Sequence, residues 1–151
     1  MLTLEPLLSF SNPITVQAIG QTPFGTRTTY IVGEGTFAGP RLHGRILPGG
    51  GDWMVEGGDG LCQLDVRKTF ETHDGALIDV RYTGLYQITA AVTARLAAGE
   101  SCDFGDTLFQ VQARFETGDA RYGWLNRTLA VGEARETSAG VEYRLYALTA
   151  G

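Results

Sequence analysis

Apolar and polar residues alternate with a period of two along most of this chain, and that period predicts strands rather than helices. Ile14 to Ile19 reads as a strand closed by Gly20. Thr26 to Phe37 reads as a longer one, rich in Thr, Tyr, Ile and Val, ending at Gly39-Pro40. Leu42 to Leu47 follows and stops at Pro48 and three glycines. Leu61 to Thr72 and Ala76 to Ala91 flank Asp74-Gly75, the strongest short-range hairpin signal in the chain. Leu108 to Glu116 alternates Leu, Gln, Val and Phe. Arg127 to Glu136 and Val141 to Leu148 form a closing hairpin across Ser138-Ala139-Gly140. Helix signals are few: Thr89 to Ala98 has good helix formers, and Asp119 to Leu125 suits a single turn. No linker, repeat or composition break divides the chain, so residues 1–151 are expected to form one domain.

Turn signals about every ten residues predict a sandwich or a barrel. Long strands that carry charge on one face favour the barrel. If Asp74-Gly75 is a two-residue loop, Arg67 lies opposite Tyr82, Asp65 opposite Gly84, Lys68 opposite Arg81 and Phe70 opposite Asp79. Both faces of the hairpin then mix charge with apolar side chains. A sheet buried on one side only alternates more cleanly, so the pattern points to an all-β antiparallel barrel with a partly polar interior and at most one short helix.

Composition refines this picture. Glycine supplies 21 of 151 residues, about twice the typical ~7%, and is dispersed, as many tight turns require. The net charge is -5 with no basic run, which argues against nucleic acid and anionic membrane surfaces as partners. Met1 to Asn12 lacks the basic start and long apolar middle of a signal peptide. No apolar run approaches the roughly 20 residues that cross a bilayer. A cytoplasmic location is therefore expected. Cys62 and Cys102 stand alone without CxxC spacing and read as reduced thiols.

The candidate chemistry is concentrated between Leu47 and Gly75. Asp65 and Arg67 share one face of a strand whose other face is apolar. Facing a lumen, Arg67 would grip a carboxylate or enolate, with Asp65 orienting it or acting as a base; alternatively the two form a structural ion pair. Asp52-Trp53 follows Gly49-Gly50-Gly51, so a carboxylate and a flat indole reach a cavity mouth or plug the barrel end. Glu116, Tyr122, Trp124 and Asn126 offer a desolvated acid or base and an amide for a carbonyl, or a structural corner. Arg27 lies on the long strand and would meet Arg67 or Asp65 across the lumen. Lys68, the only lysine in the chain, forms a Schiff base only if buried with a depressed pKa; as a lone strand lysine it reads as solvent-facing. His43 and His73 lack metal-ligand spacing, and GxSxG, HExxH and GxGxxG are absent. No metal and no cofactor is therefore expected.

Several stretches carry a resemblance: GTFAGPRLHGRILPGGGDW (Gly35 to Trp53), Asp59-Gly60, LDVRKTFETHDGALI (Leu64 to Ile78), RFETGDARYGWLNR (Arg114 to Arg127) and Gly25-Thr26-Arg27. From Gly33 onward the chain resembles a family of small bacterial proteins catalogued as domain of unknown function 3237. The resemblance implies a lipocalin-like antiparallel barrel that forms homo-oligomers, and no established activity. Lys68 stands where an aromatic is common, Gly51 replaces a usual alanine, and Leu108 to Ala113 lacks a more polar pattern and a proline.

Together these readings predict a cofactor-independent enzyme of the isomerase, cyclase or hydro-lyase type, acting on a small aromatic or polyketide-like molecule in the barrel. Asp52, Asp65 and Glu116 are its expected proton-moving groups, and Arg27, Trp53, Arg67, Tyr82, Trp124 and Asn126 its expected ligand contacts. A non-catalytic carrier barrel for a similar apolar or aromatic ligand is the alternative. An oligomerising structural module is a third.

Overall fold

The computed structural model describes residues 1–151. Its strands are β1 (Leu2–Asn12), β2 (Ile14–Thr22), β3 (Gly25–Val32), β4 (Gly35–Ala38), β5 (His43–Glu56), β6 (Leu61–Thr72), β7 (Leu77–Gln87), β8 (Phe109–Glu116), β9 (Leu129–Thr137) and β10 (Gly140–Ala150). Helix α1 (Ala90–Ala97) and a 3₁₀ helix (Ala120–Arg127) complete the chain. All pairings are antiparallel. β5, β4, β1, β10, β9, β8, β7 and β6 follow one another around a ring that closes where β6 pairs β5 again. The result is an eight-stranded antiparallel barrel, and β2 and β3 extend it as a hairpin on the second half of β5.

β5 makes this closure possible. Its first half pairs β4 and its second half pairs β3, while β6 accompanies both. The register passes from Leu47–Thr69 to Gly51–Arg67, so β5 carries two extra residues in a bulge that bends the strand. The insertion is even in number and preserves the alternation, leaving Ile46, Asp52 and Met54 all buried on the inward side. A strand expected to stop at Leu47 therefore continues to Glu56. Gly49 takes φ +107 in the bulge, and a Cβ at Gly50 would collide with the Arg67 carbonyl. The Pro48 and glycine cluster marks a bend within a strand rather than its end.

Two other boundaries move for related reasons. The strand expected over Thr26 to Phe37 divides at Gly33-Glu34, because β3 and β4 pair different halves of β5. β1 was hidden by weak alternation and by Pro6, which sits at a bulge where the pairing with β10 shifts. Helical structure falls where it was expected, but at most one short helix is corrected to two, because Ala120–Arg127 extends the expected single turn to an eight-residue 3₁₀ helix. Thr89 caps α1 through its hydroxyl, which accepts from the Val92 amide at 3.2 Å. Asp119 caps the 3₁₀ helix by accepting from the Arg121 amide at 2.9 Å.

Thirty buried residues form one continuous core inside the barrel. At one end it is solid hydrocarbon. Phe70 stacks on Phe37 with ring centres 4.7 Å apart and meets Phe10 edge-on at 5.3 Å. Ile46, Ile78 and Leu125 are also fully buried, Leu125 being carried by the 3₁₀ helix. Toward the other end tyrosines join Phe109, and the packing opens into a cavity.

Candidate functional site

The central hairpin decides which side chains see the lumen. Its loop is three residues long: Thr72 donates to the Ala76 carbonyl at 2.9 Å, and His73, Asp74 and Gly75 form the turn, with Gly75 at φ +89. Thr72 also donates its hydroxyl to Asp74 at 2.6 Å and accepts from the Ala76 amide at 2.8 Å. A two-residue loop is corrected to a three-residue one, and the register slips by one. Arg67 pairs Arg81, Lys68 pairs Val80, Asp65 pairs Thr83 and Val66 pairs Tyr82. A one-residue slip exchanges the faces, so Tyr82 leaves the arginine side and joins Val66 and Lys68 inside.

Burial along β6 is strictly alternating: Cys62, Leu64, Val66, Lys68, Phe70 and Thr72 are inward and buried, whereas Asp65 and Arg67 are exposed. The expectation that Asp65 and Arg67 line the pocket is therefore corrected. The inward face holds four apolar side chains against one lysine, and burying two charges instead would cost far more than that area gains. Outside, Arg67, Arg81 and Arg114 stand directly opposite one another across β6, β7 and β8. Lys68, expected at the surface, is only 4% exposed.

The cavity is lined by Asn12, Tyr30, Asp52, Lys68, Tyr82, Tyr86, Glu136 and Tyr143 among aliphatic side chains from β2, β3, β5, β6 and β10. Its volume is about 40 Å³, within a hollow of about 470 Å³ counted to the open mouth. Half-buried Ile14, Tyr30 and Glu136 stand at the mouth, and Lys68, Tyr82 and Tyr143 at the floor. Tyr86 donates its hydroxyl to Glu136 at 2.6 Å.

Lys68 has no carboxylate within ion-pair distance. Its Nζ donates to Asn12 Oδ1 at 2.6 Å and lies 4.7, 5.3 and 4.9 Å from the ring centres of Phe10, Tyr82 and Tyr143. Three aromatic faces and one amide oxygen stabilise the ammonium, but they do not replace its water. Burial pulls the amine down to about 7, with the charge of Asp52 working weakly the other way. Asp52, 9% exposed, is pushed up to about 6, chiefly by burial, against a backbone hydrogen bond from Asp65 and the charge of Lys68. That bond has a structural origin. The β5–β6 ladder opens between the pairs Asp52–Val66 and Val55–Gln63, and the Asp65 amide donates instead to Asp52 Oδ1 at 3.1 Å. Tyr30 is pushed up to about 12 by burial and by Glu136. Burial also raises Tyr82 and Tyr143.

Of the side chains expected at the site, the structure brings Asp52 and Tyr82 to the cavity. The others lie elsewhere. Glu116 is exposed on the outer face at the end of β8, opposite Asp79. Trp53 is 46% exposed on the outside, and Arg27 lies beside it, donating to its carbonyl at 3.4 Å, rather than reaching across the lumen. Trp124 packs under the Arg41 guanidinium at 3.6 Å. Asn126 clamps Thr117, accepting from its amide at 2.8 Å and donating to its carbonyl at 3.0 Å. These positions turn outward because strict alternation sets each opposite an apolar neighbour that fills the core, or because they sit in the corner after β8. Lys68, Asn12, Tyr30, Tyr86, Glu136 and Tyr143 are the polar lining that was not expected from the sequence. The signal for Lys68 was its place among inward apolar residues at even spacing. His43 and His73, far apart in sequence, stack at 4.0 Å on the surface.

Comparison with known proteins places this barrel. The family model described as a protein of unknown function, DUF3237, matches residues 2–148. A UPF0311 protein of Rhodopseudomonas palustris is 32% identical over 119 residues, 79% of this chain and 78% of that protein. A solved β-barrel-like protein from Acinetobacter baumannii is 36% identical and superposes with a TM-score of 0.83 over 99% of this chain and 97% of that one. A structure described as an enzyme from Penicillium herquei is similar in fold, with a TM-score of 0.75 over 98% of this chain and 95% of that chain, at 20% identity. The sequence match across nearly the whole chain and the shared barrel together show that this protein belongs to the DUF3237 family.

Proposed function

We propose that this protein is a cofactor-independent enzyme that moves a proton on a small molecule bound at the open end of the barrel, as an isomerase, cyclase or hydro-lyase does. The observation that carries this reading is the presence of Asp52 and Lys68, from the adjacent strands β5 and β6, in the lining of one cavity. Their pKa values of about 6 and about 7 bracket the range in which a general acid–base group works best at neutral pH. Asp52 takes the proton. Lys68 and the phenols of Tyr82 and Tyr143 face the oxygen on which negative charge develops.

The cavity's size restricts the ligand. By the same measure a water needs roughly 10–15 Å³, and an apolar cavity of about 150 Å³ admits benzene. A cavity of about 40 Å³ therefore takes only the oxygen-bearing end of an aromatic or polyketide-like molecule, whose body rests in the mouth between Ile14, Tyr30 and Glu136.

The test is turnover. Aromatic acids and enones are incubated with the protein in deuterated water, and products are followed by mass spectrometry. Asp52→Asn is expected to lower turnover by about 10² or more while ligand binding persists. Binding without product, unchanged by Asp52→Asn, would establish a non-catalytic carrier instead. The Lys68 ammonium, which has an amide oxygen but no carboxylate as its partner, favours that second reading, since it suits a bound carboxylate.

A further inference from the structure

Eleven of the twelve basic side chains are arginines, and the twelfth, Lys68, is buried at the floor of the cavity. Arginine cannot serve as an amine nucleophile, because its guanidinium stays protonated. The chain thus places its one nucleophilic side-chain amine where only a lumenal ligand reaches it. Nothing structural requires a lysine there. Lys68 makes no ion pair, and its one hydrogen bond is to the Asn12 amide oxygen. An aliphatic side chain would fill the position without desolvating a charge.

We infer that Lys68 is a covalent nucleophile that forms an imine with an aldehyde or ketone entering the cavity, with Asp52 moving the protons of the addition and dehydration. The inference rests on the lumenal proton-transfer reading above and names its substrate class. Neutral Nζ attacks the carbonyl carbon, forming the C–N bond as the C=O π pair moves to oxygen. Asp52 relays the proton lost by nitrogen to the oxygen, giving a neutral carbinolamine, and takes up a further proton from solvent at the open mouth of the cavity. The protonated Asp52 then delivers a proton to the carbinolamine hydroxyl. The C–O bond breaks, water leaves, and the nitrogen lone pair closes the C=N bond. No net oxidation or reduction occurs. The iminium that results withdraws electrons from the neighbouring carbon, so loss of an α-proton to Asp52 gives an enamine, and return of a proton at either end of the conjugated system isomerises the ligand.

Three features of the cavity support the step. Burial holds the amine near 7, so a substantial neutral fraction exists at neutral pH. Phe10, Tyr82 and Tyr143 surround Nζ at 4.7 to 5.3 Å and would stabilise a cationic iminium as they do the ammonium. The cavity of about 40 Å³ has room for roughly three non-hydrogen atoms on the water scale, enough for a carbonyl group and one substituent carbon.

The experiment is reductive trapping on the intact protein, with propionaldehyde as probe and cyanoborohydride as reductant, in deuterated water. Besides Lys68 the chain offers only the Met1 amine, so peptide mass spectrometry separates the two sites without a variant. The expected result is an adduct on Lys68, heavier by the aldehyde mass less one oxygen atom when reduced in ordinary water. It saturates with aldehyde, forms faster than the Met1 adduct, and forms more slowly in urea. Asp52→Asn is expected to slow Lys68 trapping about tenfold or more. Lys68→Arg, which keeps the positive charge and is checked for folding by circular dichroism, loses the adduct. Modification confined to Met1, or equal at Lys68 in folded and urea-unfolded protein, overturns the inference. Recovered aldehyde is assayed for α-deuterium in the same samples. Exchange that depends on Asp52 without a Lys68 adduct sinks the imine but leaves proton transfer standing. Absence of both sinks the two together.

Discussion

The two ends of this barrel are built from the same strands and yet differ in kind. At the closed end Phe70, Phe37, Ile46, Ile78 and Leu125 exclude solvent and leave no polar side chain in need of a partner. At the open end the same inward positions carry Asn12, Asp52, Lys68, Tyr82 and Tyr143. Within β6 the change takes a single step, from Phe70 to Lys68, two residues apart on one face. The closed end stabilises the fold through burial. The open end gives stability up, since both Asp52 and Lys68 are held away from their ordinary ionisation by a lack of water. A barrel that tolerates this at one end can do so because the other end is well packed.

The largest effect that probes this contrast is at the closed end. Phe70→Ala removes a ring stacked on Phe37 and edge-on to Phe10 and is expected to cost about 3–5 kcal/mol in urea unfolding. A cost below about 1 kcal/mol would show that the closed end is not the stability reservoir.

The open end is sharpened by pH. The folded state binds the Asp52 proton more tightly than the unfolded chain, so this group makes stability fall as pH rises from 3.8 to about 6. The folded state binds the Lys68 proton less tightly, so stability rises as pH passes from about 7 toward 10.5. The two contributions produce a trough between about 6 and 7. Urea midpoints measured from pH 4 to 10 test each limb. The wild-type-minus-Asp52→Asn difference should slope downward below the trough, and the wild-type-minus-Lys68→Met difference upward above it. Flat difference curves would mean that neither group is desolvated as the geometry requires.

The smallest effect belongs to the outer surface. Arg67 faces solvent in a row with Arg81 and Arg114, and like charges directly opposite one another repel. Arg67→Thr is expected to leave the melting temperature within about 2 °C of wild type and to leave Lys68 and Asp52 unaffected. A loss of ligand binding in this variant would return Arg67 to the site and undo the inside–outside assignment of β6.

Much of the fold was legible in the residues. β6 was expected at the bounds it has, and the hairpins at Asp74-Gly75 and Ser138 to Gly140 are where their turn residues placed them. Thr89 and Asp119 announced the two helical segments. The site was less legible. Asp52 was singled out for its glycine neighbours and Tyr82 for its place opposite Arg67. Tyr82 does reach the lumen, but beside Lys68, because the turn holds three residues and not two. Lys68 was read outward for a chemical reason, that charges prefer water. Its position in the alternating pattern pointed the other way.

By itself, the order of residues determined that this chain forms strands and where most of them turn, since period and turn chemistry are local properties of consecutive residues. Only the tertiary structure decided which face became the inside, that β5 bends through its glycines to close the ring, and that an aspartate and the chain's single lysine share one small cavity. Those outcomes depend on register and closure between segments distant in sequence. A shift of one residue there costs little locally but reverses every side chain it touches.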